Sequence, residues 1–154
     1  MNEETTTAPG PAASLLLDDQ LCFALYAAQR AVTAAYRPLL DELGLTYPQY
    51  LAMLVLWERG EIPVKDLAAA LRLDYGTVSP LLKRLEAAGL VRRERSAADE
   101  RSVRVVLSEE GEALRAPAGR VPAALLAYTG MGAEEIARLR AELHELTVRA
   151  SVQG

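Results

Sequence analysis

Cysteine occurs once in this chain of 154 residues, at Cys22, and histidine once, at His144. A single thiol excludes an intrachain disulfide and a multi-cysteine metal cluster. With the one imidazole far away in sequence, zinc would need carboxylates or a second chain, and no ligand spacing suggests either, so no metal and no cofactor is expected. No stretch approaches the ~18–20 apolar residues of a membrane span, and no charged start followed by a hydrophobic run marks a secretory signal. No membrane association and a cytoplasmic location are therefore expected. Aromatics are few, with one Trp and one Phe, while Ala and Leu are abundant, so the chain reads as globular and helical. Its length suits one domain of about 100–150 residues. Only residues 1–14, with Thr5-Thr6-Thr7 and Pro9-Gly10-Pro11, lack apolar periodicity and read as a flexible tail.

Positive charge is also in short supply, with a net charge of −4 that argues against a nucleic-acid partner. Its distribution reverses that inference. Between Val64 and Leu107 nine Lys and Arg face six Asp and Glu, leaving +3 there and −7 elsewhere. A charge cluster is usually just a solvated face, so the decision falls to architecture.

From Leu15 to Leu43, apolar residues at Leu21, Leu25, Ala28, Val32 and Leu39 follow the three-to-four spacing of an amphipathic helix. Asp18 and Asp19 suit its first turn, Pro38 a kink and Gly44 its end. Thr46-Tyr47-Pro48-Gln49 has capping-box form and opens a second helix reaching Gly60. Val64–Leu71 is a short helix behind Pro63, and Leu73–Thr77 forms a turn into a helix over Val78–Ala88. Either Asp74 or Thr77 can cap that helix: the first places Pro80 inside it, the second in its first turn. Leu90–Glu94 and Ser102–Leu107 read as a hairpin with the polar tip Arg95–Arg101. Ser108 caps a helix interrupted by Pro117 and Pro122, and a last helix spans about Ala133–Ala150. Its stripe of Ile136, Leu139, Leu143, Leu146 and Ala150 fits a core or a subunit seam equally well.

The fold class is thus mainly α with a small β-wing: a winged helix-turn-helix module at 64–107, flanked by N- and C-terminal dimerisation helices at 15–60 and 109–151. More apolar stripe than one small core can cover favours a homodimer. The second helix of such a module enters the major groove. Val78, Leu81, Leu82 and Leu85 face inward, leaving Thr77 and Ser79 to approach phosphates or base edges and Lys83 and Arg84 to neutralise phosphates. In the wing, Arg95 and Arg101 add positive charge, and Asp99 can orient the Arg101 guanidinium toward the minor groove. Duplex DNA is the expected partner, with half-sites about one helical turn apart. Glu86 reads as merely solvated, Trp57 and Met53 as core, and His144 as part of a charged helix face.

A lone cysteine on an amphipathic helix is most often a small buried hydrophobe. Here it lies in the first turns, where the helix dipole favours thiolate, and Tyr26 at i+4 shares its face. Asp18 and Asp19 oppose ionisation, and no cation is near in sequence, so hydroxyl donors are required to stabilise a thiolate.

Over residues 15–150 the sequence resembles the MarR family of bacterial regulators, and within it the organic-hydroperoxide repressors called OhrR. The resemblance rests on Asp19–Ala27, Tyr36–Asp41, Leu45–Leu51, Leu73–Glu86 and Asp99–Val103. Tyr75 departs from it, standing where relatives commonly carry a small polar residue. The resemblance implies a single MarR-like domain over 15–154 in which Cys22 is the peroxide sensor, held by the Tyr36 and Tyr47 hydroxyls of the partner subunit, with Tyr26 a further matching tyrosine. It implies a repressor, not an enzyme, that leaves a near-palindromic operator when an organic hydroperoxide oxidises Cys22. It also implies the one-cysteine subtype, whose sulfenic acid a small cellular thiol caps as a mixed disulfide. One rival is a MarR-type repressor released by a small phenolic ligand, with Cys22 structural. The other is a thiol peroxidase, which the absent resolving cysteine and absent βα alternation disfavour.

Overall fold

The computed structural model describes residues 14–96, 98 and 102–152. The chain divides between Ala35 and Tyr36 into two compact units. In the first, a 3-10 turn at Leu17–Asp19 precedes helix α1, which begins at Leu21 and runs to Asp41. The acidic pair Asp18 and Asp19 therefore sits in that separate turn, and the first turn of α1 carries no acid. This corrects the expectation of one helix from Leu15 with both aspartates at its start.

In the second unit, α1 closes through two bonds that tie Gly44 N–H to the Asp41 carbonyl and Leu45 N–H to the Leu40 carbonyl. Such a closure needs positive φ at its pivot, and Gly44 adopts +68°. Helix α2 covers Tyr47–Arg59, with the capping box formed as expected: Gln49 N–H donates to Thr46 Oγ1, and Thr46 N–H to Gln49 Oε1. Strand β1 (Glu61–Pro63), helix α3 (Val64–Leu71) and helix α4 (Tyr75–Ala87) follow, then strands β2 (Val91–Arg95) and β3 (Val103–Leu107). The hairpin is thus a three-stranded antiparallel sheet of order β1-β3-β2. Strand β1 escaped the sequence because a three-residue run ending in proline lacks a strand pattern; as an edge strand it tolerates Pro63.

Asp74, not Thr77, caps α4: its Oδ1 accepts from the Thr77 N–H at 2.8 Å and the Thr77 hydroxyl at 2.9 Å. Tyr75 and Gly76 consequently belong to the helix, with Pro80 inside it. Those bonds hold the Asp74 carboxyl below its ordinary 3.8. Because the folded-state value is the lower one, the cap's stabilisation is present above about pH 4 and is lost as pH falls through the folded value. Thermal midpoints of wild type and Asp74→Ala should therefore differ at neutral pH and converge in acid.

Leu40, Met53, Leu56, Leu67, Val78, Leu82, Leu85 and Val105 are fully buried and join α2, α3, α4 and the sheet. Trp57, 7% exposed, donates its Nε1–H to the Gly111 carbonyl at 2.9 Å. Gly111 lies in α5 (Glu109–Ala113), which Ser108 caps; the Ser108 hydroxyl also donates to the Gly89 carbonyl past the end of α4. Helices α6 (Arg115–Ala118), α7 (Val121–Thr129) and α8 (Ala133–Val152) complete the chain. No residue of α8 is buried, so its predicted stripe is not part of this chain's own core.

Candidate nucleic-acid interface and thiol site

Periodicity divides α4 into four surfaces. Val78, Leu81, Leu82 and Leu85 are buried, as their spacing predicts. Thr77 and Arg84, seven residues apart, share one flank, while Ser79 and Glu86 share the other. Lys83 rises on the crest between Gly76, Pro80 and Ala87, whose small side chains leave the backbone free to approach a partner surface. Thr77, Lys83 and Arg84 are exposed and Ser79 is half-buried. The Thr77 hydroxyl spends its proton on Asp74, so toward a partner it serves as an acceptor, not as a phosphate donor.

The largest departure from expectation is Glu86. Rather than being solvated, its carboxylate accepts from Arg93 Nε at 2.9 Å, Arg93 Nη2 at 3.1 Å and the Arg93 backbone N–H at 3.0 Å. That pairing lowers the Glu86 pKa and raises that of Arg93. Sequence spacing hides the pair, because seven residues and a tight turn separate a helix from a strand. Arg104 pairs likewise with Glu61 across β3 and β1 at 3.3 Å. Arg92 pairs with Glu94 on the exposed face of β2 at 3.4 Å, which leaves Lys65, Arg72, Lys83, Arg84 and Arg95 as the exposed cations outside these three pairs on the described α3–β2 surface. Arg95 ends β2; Asp99 and Arg101 lie outside the described residues.

In the first unit, Cys22 is the second residue of α1, exposed and a free thiol. Tyr26 follows one turn later, also exposed, and Arg30 one turn beyond. The Arg30 guanidinium donates to the Tyr26 hydroxyl at 3.2 Å and lies 5.4 Å from the ring centroid. A cation thus reaches the cysteine's helix face through Tyr26, at a spacing of i, i+4, i+8 that was readable in the sequence and missed.

In the second unit, Tyr36 and Tyr47 come together, with ring centroids 5.0 Å apart and tilted by 45°. Tyr50 joins them at 5.8 Å from Tyr36. It shares the face of Tyr47 at i+3, a signal the apolar run around it concealed. Burial, reinforced by repulsion from Tyr47 and Tyr50, pushes the Tyr36 phenol up to about 12; burial raises Tyr47 and Tyr50 as well. All three are neutral hydroxyl donors at physiological pH. Above pH 10 the unfolded phenols ionise first, so unfolding free energy should fall between roughly pH 10 and 12. Tyr36→Phe should flatten that decline in urea titrations across the range.

A cleft of ≈ 370 Å³ in the same unit is lined by Leu39, Leu43, Val121 and Ala124, with Glu42 and Arg120 at its polar part. Among the described residues no helix is long and apolar enough to cross a membrane, and no cluster of three or more His, Cys, Asp or Glu could hold a metal ion.

Residues 45–103, from just before α2 to the first residue of β3, match the model of the MarR family. An organic hydroperoxide resistance transcriptional regulator of Bacillus subtilis (strain 168) is 46% identical over 130 residues, covering 84% of this chain and 88% of its own length. Among solved structures, reduced AbfR bound to DNA is similar with a TM-score of 0.68 and 32% identity, over 88% of this chain and 94% of that one; AbfR is from Staphylococcus epidermidis. CouR from Rhodococcus jostii RHA1, bound to p-coumaroyl-CoA, is similar with a TM-score of 0.73 and 27% identity, over 86% and 95%.

Proposed function

Because this chain belongs to the MarR family of DNA-binding transcriptional regulators, we propose that it is a homodimeric repressor that holds a near-palindromic operator while Cys22 is reduced and leaves it when an organic hydroperoxide oxidises that thiol. The observation that carries the reading is the exposed Cys22 near the N-terminus of α1, backed along one face by Tyr26 and Arg30. The thiolate is the reactive form of a cysteine, and exposure leaves this one open to a peroxide. Similarity to a hydroperoxide resistance regulator supports the choice of oxidant.

The thiolate attacks the terminal oxygen of ROOH, the O–O bond breaks, and the alkoxide leaves and takes up a proton as ROH. Sulfur is oxidised to a sulfenic acid. A small cellular thiol then displaces the hydroxyl as water, giving a mixed disulfide that further thiol reduces. Tyr36 and Tyr47 of the partner subunit hold the reduced sulfur, and its enlargement disturbs those contacts and the spacing of the two reading heads.

Dimerisation is supported by α8, on which the stripe residues Leu139 and Leu143 are 44% and 38% exposed and nothing is buried. An apolar stripe of that kind seeks a second copy. DNA is read by Lys83, Arg84, Thr77 and Ser79 on α4 and by Arg95, Asp99 and Arg101 in the wing.

A gel shift with an organic hydroperoxide, followed by reductant, with the Cys22 peptide weighed at each step, tests this reading. Reversible release together with added mass on Cys22 is expected; release without added mass overturns it. A second reading, release by a small phenolic ligand with Cys22 structural, draws on the likeness to CouR, bound to p-coumaroyl-CoA, and on the apolar cleft carrying Arg120. It gains if fully reduced protein releases DNA on titration with a phenolic carboxylate while peroxide has no effect. In a thiol-recycling assay without DNA, steady peroxide consumption is not expected; sustained turnover there would favour a thiol peroxidase instead.

A further inference from the structure

Strand β2 alternates, so Val91, Arg93 and Arg95 share one face and Arg92 and Glu94 the other. Val91 is buried on the first face, which therefore points inward toward α4 and the core. On the same face Arg93 places a forked guanidinium on both oxygens of Glu86, whose Oε1 also takes the Arg93 backbone N–H. This fixes strand backbone and side chain to α4 at once. Glu86 and Arg93 are only 31% and 27% exposed, and two parallel bonds define an angle as well as a distance. Arg95 lies two residues further along this face, about 6–7 Å beyond the anchor and toward the wing tip.

We propose that the Glu86–Arg93 pair is a positioning device that sets the wing against the recognition helix, so that Arg95 engages DNA at the same time as α4. The inference rests on the DNA-binding reading. Neither residue need touch DNA; Glu86, a negative charge on the flank of a DNA-reading helix, repels phosphate, and its presence is explained by what it holds.

This gives an effect of opposite sign to charge alone. Glu86→Gln removes a negative charge, which by itself tightens binding to a polyanion. If the pair positions the wing, Glu86→Gln instead weakens it. The probe is a duplex selected by wild-type protein from a random-sequence library, titrated by fluorescence anisotropy at fixed salt, with thermal melts confirming that each variant is folded. Glu86→Gln is expected to weaken binding on the order of tenfold, the scale of one lost contact. Arg93→Lys, which keeps the charge and loses the fork, should weaken it in the same direction. Arg95→Gln should cost about as much in wild type, but less than about twofold in the Glu86→Gln background, since the wing is already released. Tighter or unchanged binding by Glu86→Gln, or full additivity with Arg95→Gln, overturns the proposal. Failure of wild type to enrich any duplex sinks the DNA-binding reading instead.

Discussion

Cys22→Ser protein is expected to bind operator DNA within about twofold of wild type and to show no loss of affinity when treated with organic hydroperoxide. Serine is nearly isosteric with cysteine and, being exposed, should leave the fold unchanged. Its hydroxyl is not oxidised by a peroxide, so no enlarged, differently bonded group forms on α1. Wild type should lose between roughly fivefold and 150-fold in affinity on oxidation, the usual range of coupling between two sites. Anisotropy titrations of both proteins before and after one equivalent of peroxide measure the difference. Peroxide-induced release by Cys22→Ser would remove Cys22 from the mechanism, because this chain has no other thiol. Methionine oxidation would then be the chemistry to pursue.

The largest expected effect on stability lies in the second unit, at Gly111. A Cβ there would stand 2.1 Å from the Leu90 carbonyl oxygen and 3.0 Å from Leu107 Cδ2. The first neighbour is backbone, already fixed by the Ser108 N–H that it accepts. It cannot swing aside as a flexible side chain does, so α5 must move as a whole. That movement would stretch two further bonds, Trp57 Nε1–H to the Gly111 carbonyl and Gly111 N–H to Ser108 Oγ. Gly111→Ala should therefore cost about 3 kcal/mol, at the upper end for overpacking. For a chain of this size that lowers the melting midpoint by roughly 10 °C. Urea unfolding followed by Trp57 fluorescence checks the figure, and a cost below about 1 kcal/mol would show that the approach of α5 to Leu90 is loose. The glycine is not needed for its backbone freedom; its role is the absence of a side chain where helix and turn meet.

The same bonds tie the two ends of the regulator's middle together. Tyr47 opens α2 and Trp57 lies near its end; Trp57 holds Gly111, Gly111 holds Ser108, and Ser108 holds the Gly89 carbonyl beyond the recognition helix. Helical spacing alone puts Trp57 in the core, and it is there. Spacing could not show the indole bond, since the partner is a backbone carbonyl 54 residues away.

Patterns that repeat within a few residues were legible because they depend on local geometry. The buried stripe of α4, the capping box at Thr46, the caps at Ser108 and Asp74 or Thr77, and the β-prone valines of β3 all follow from helix or strand period and from which side chains can satisfy an end. The MarR resemblance was legible for the same reason, as blocks of contiguous residues. Residue type alone could not choose between Asp74 and Thr77, and geometry decided for Asp74 because one carboxylate oxygen meets both Thr77 donors.

What the sequence by itself determined is the architecture around a winged helix, the single thiol and which side chains of α4 stay outside the core. Only the tertiary structure decided which charges are already committed. Glu86, read as solvated, grips Arg93; Arg104 grips Glu61; and Tyr50 completes the Tyr36–Tyr47 cluster. The physical reason is that pairing between elements depends on how a helix packs on a strand, and that packing is set by the whole buried core rather than by any spacing along the chain.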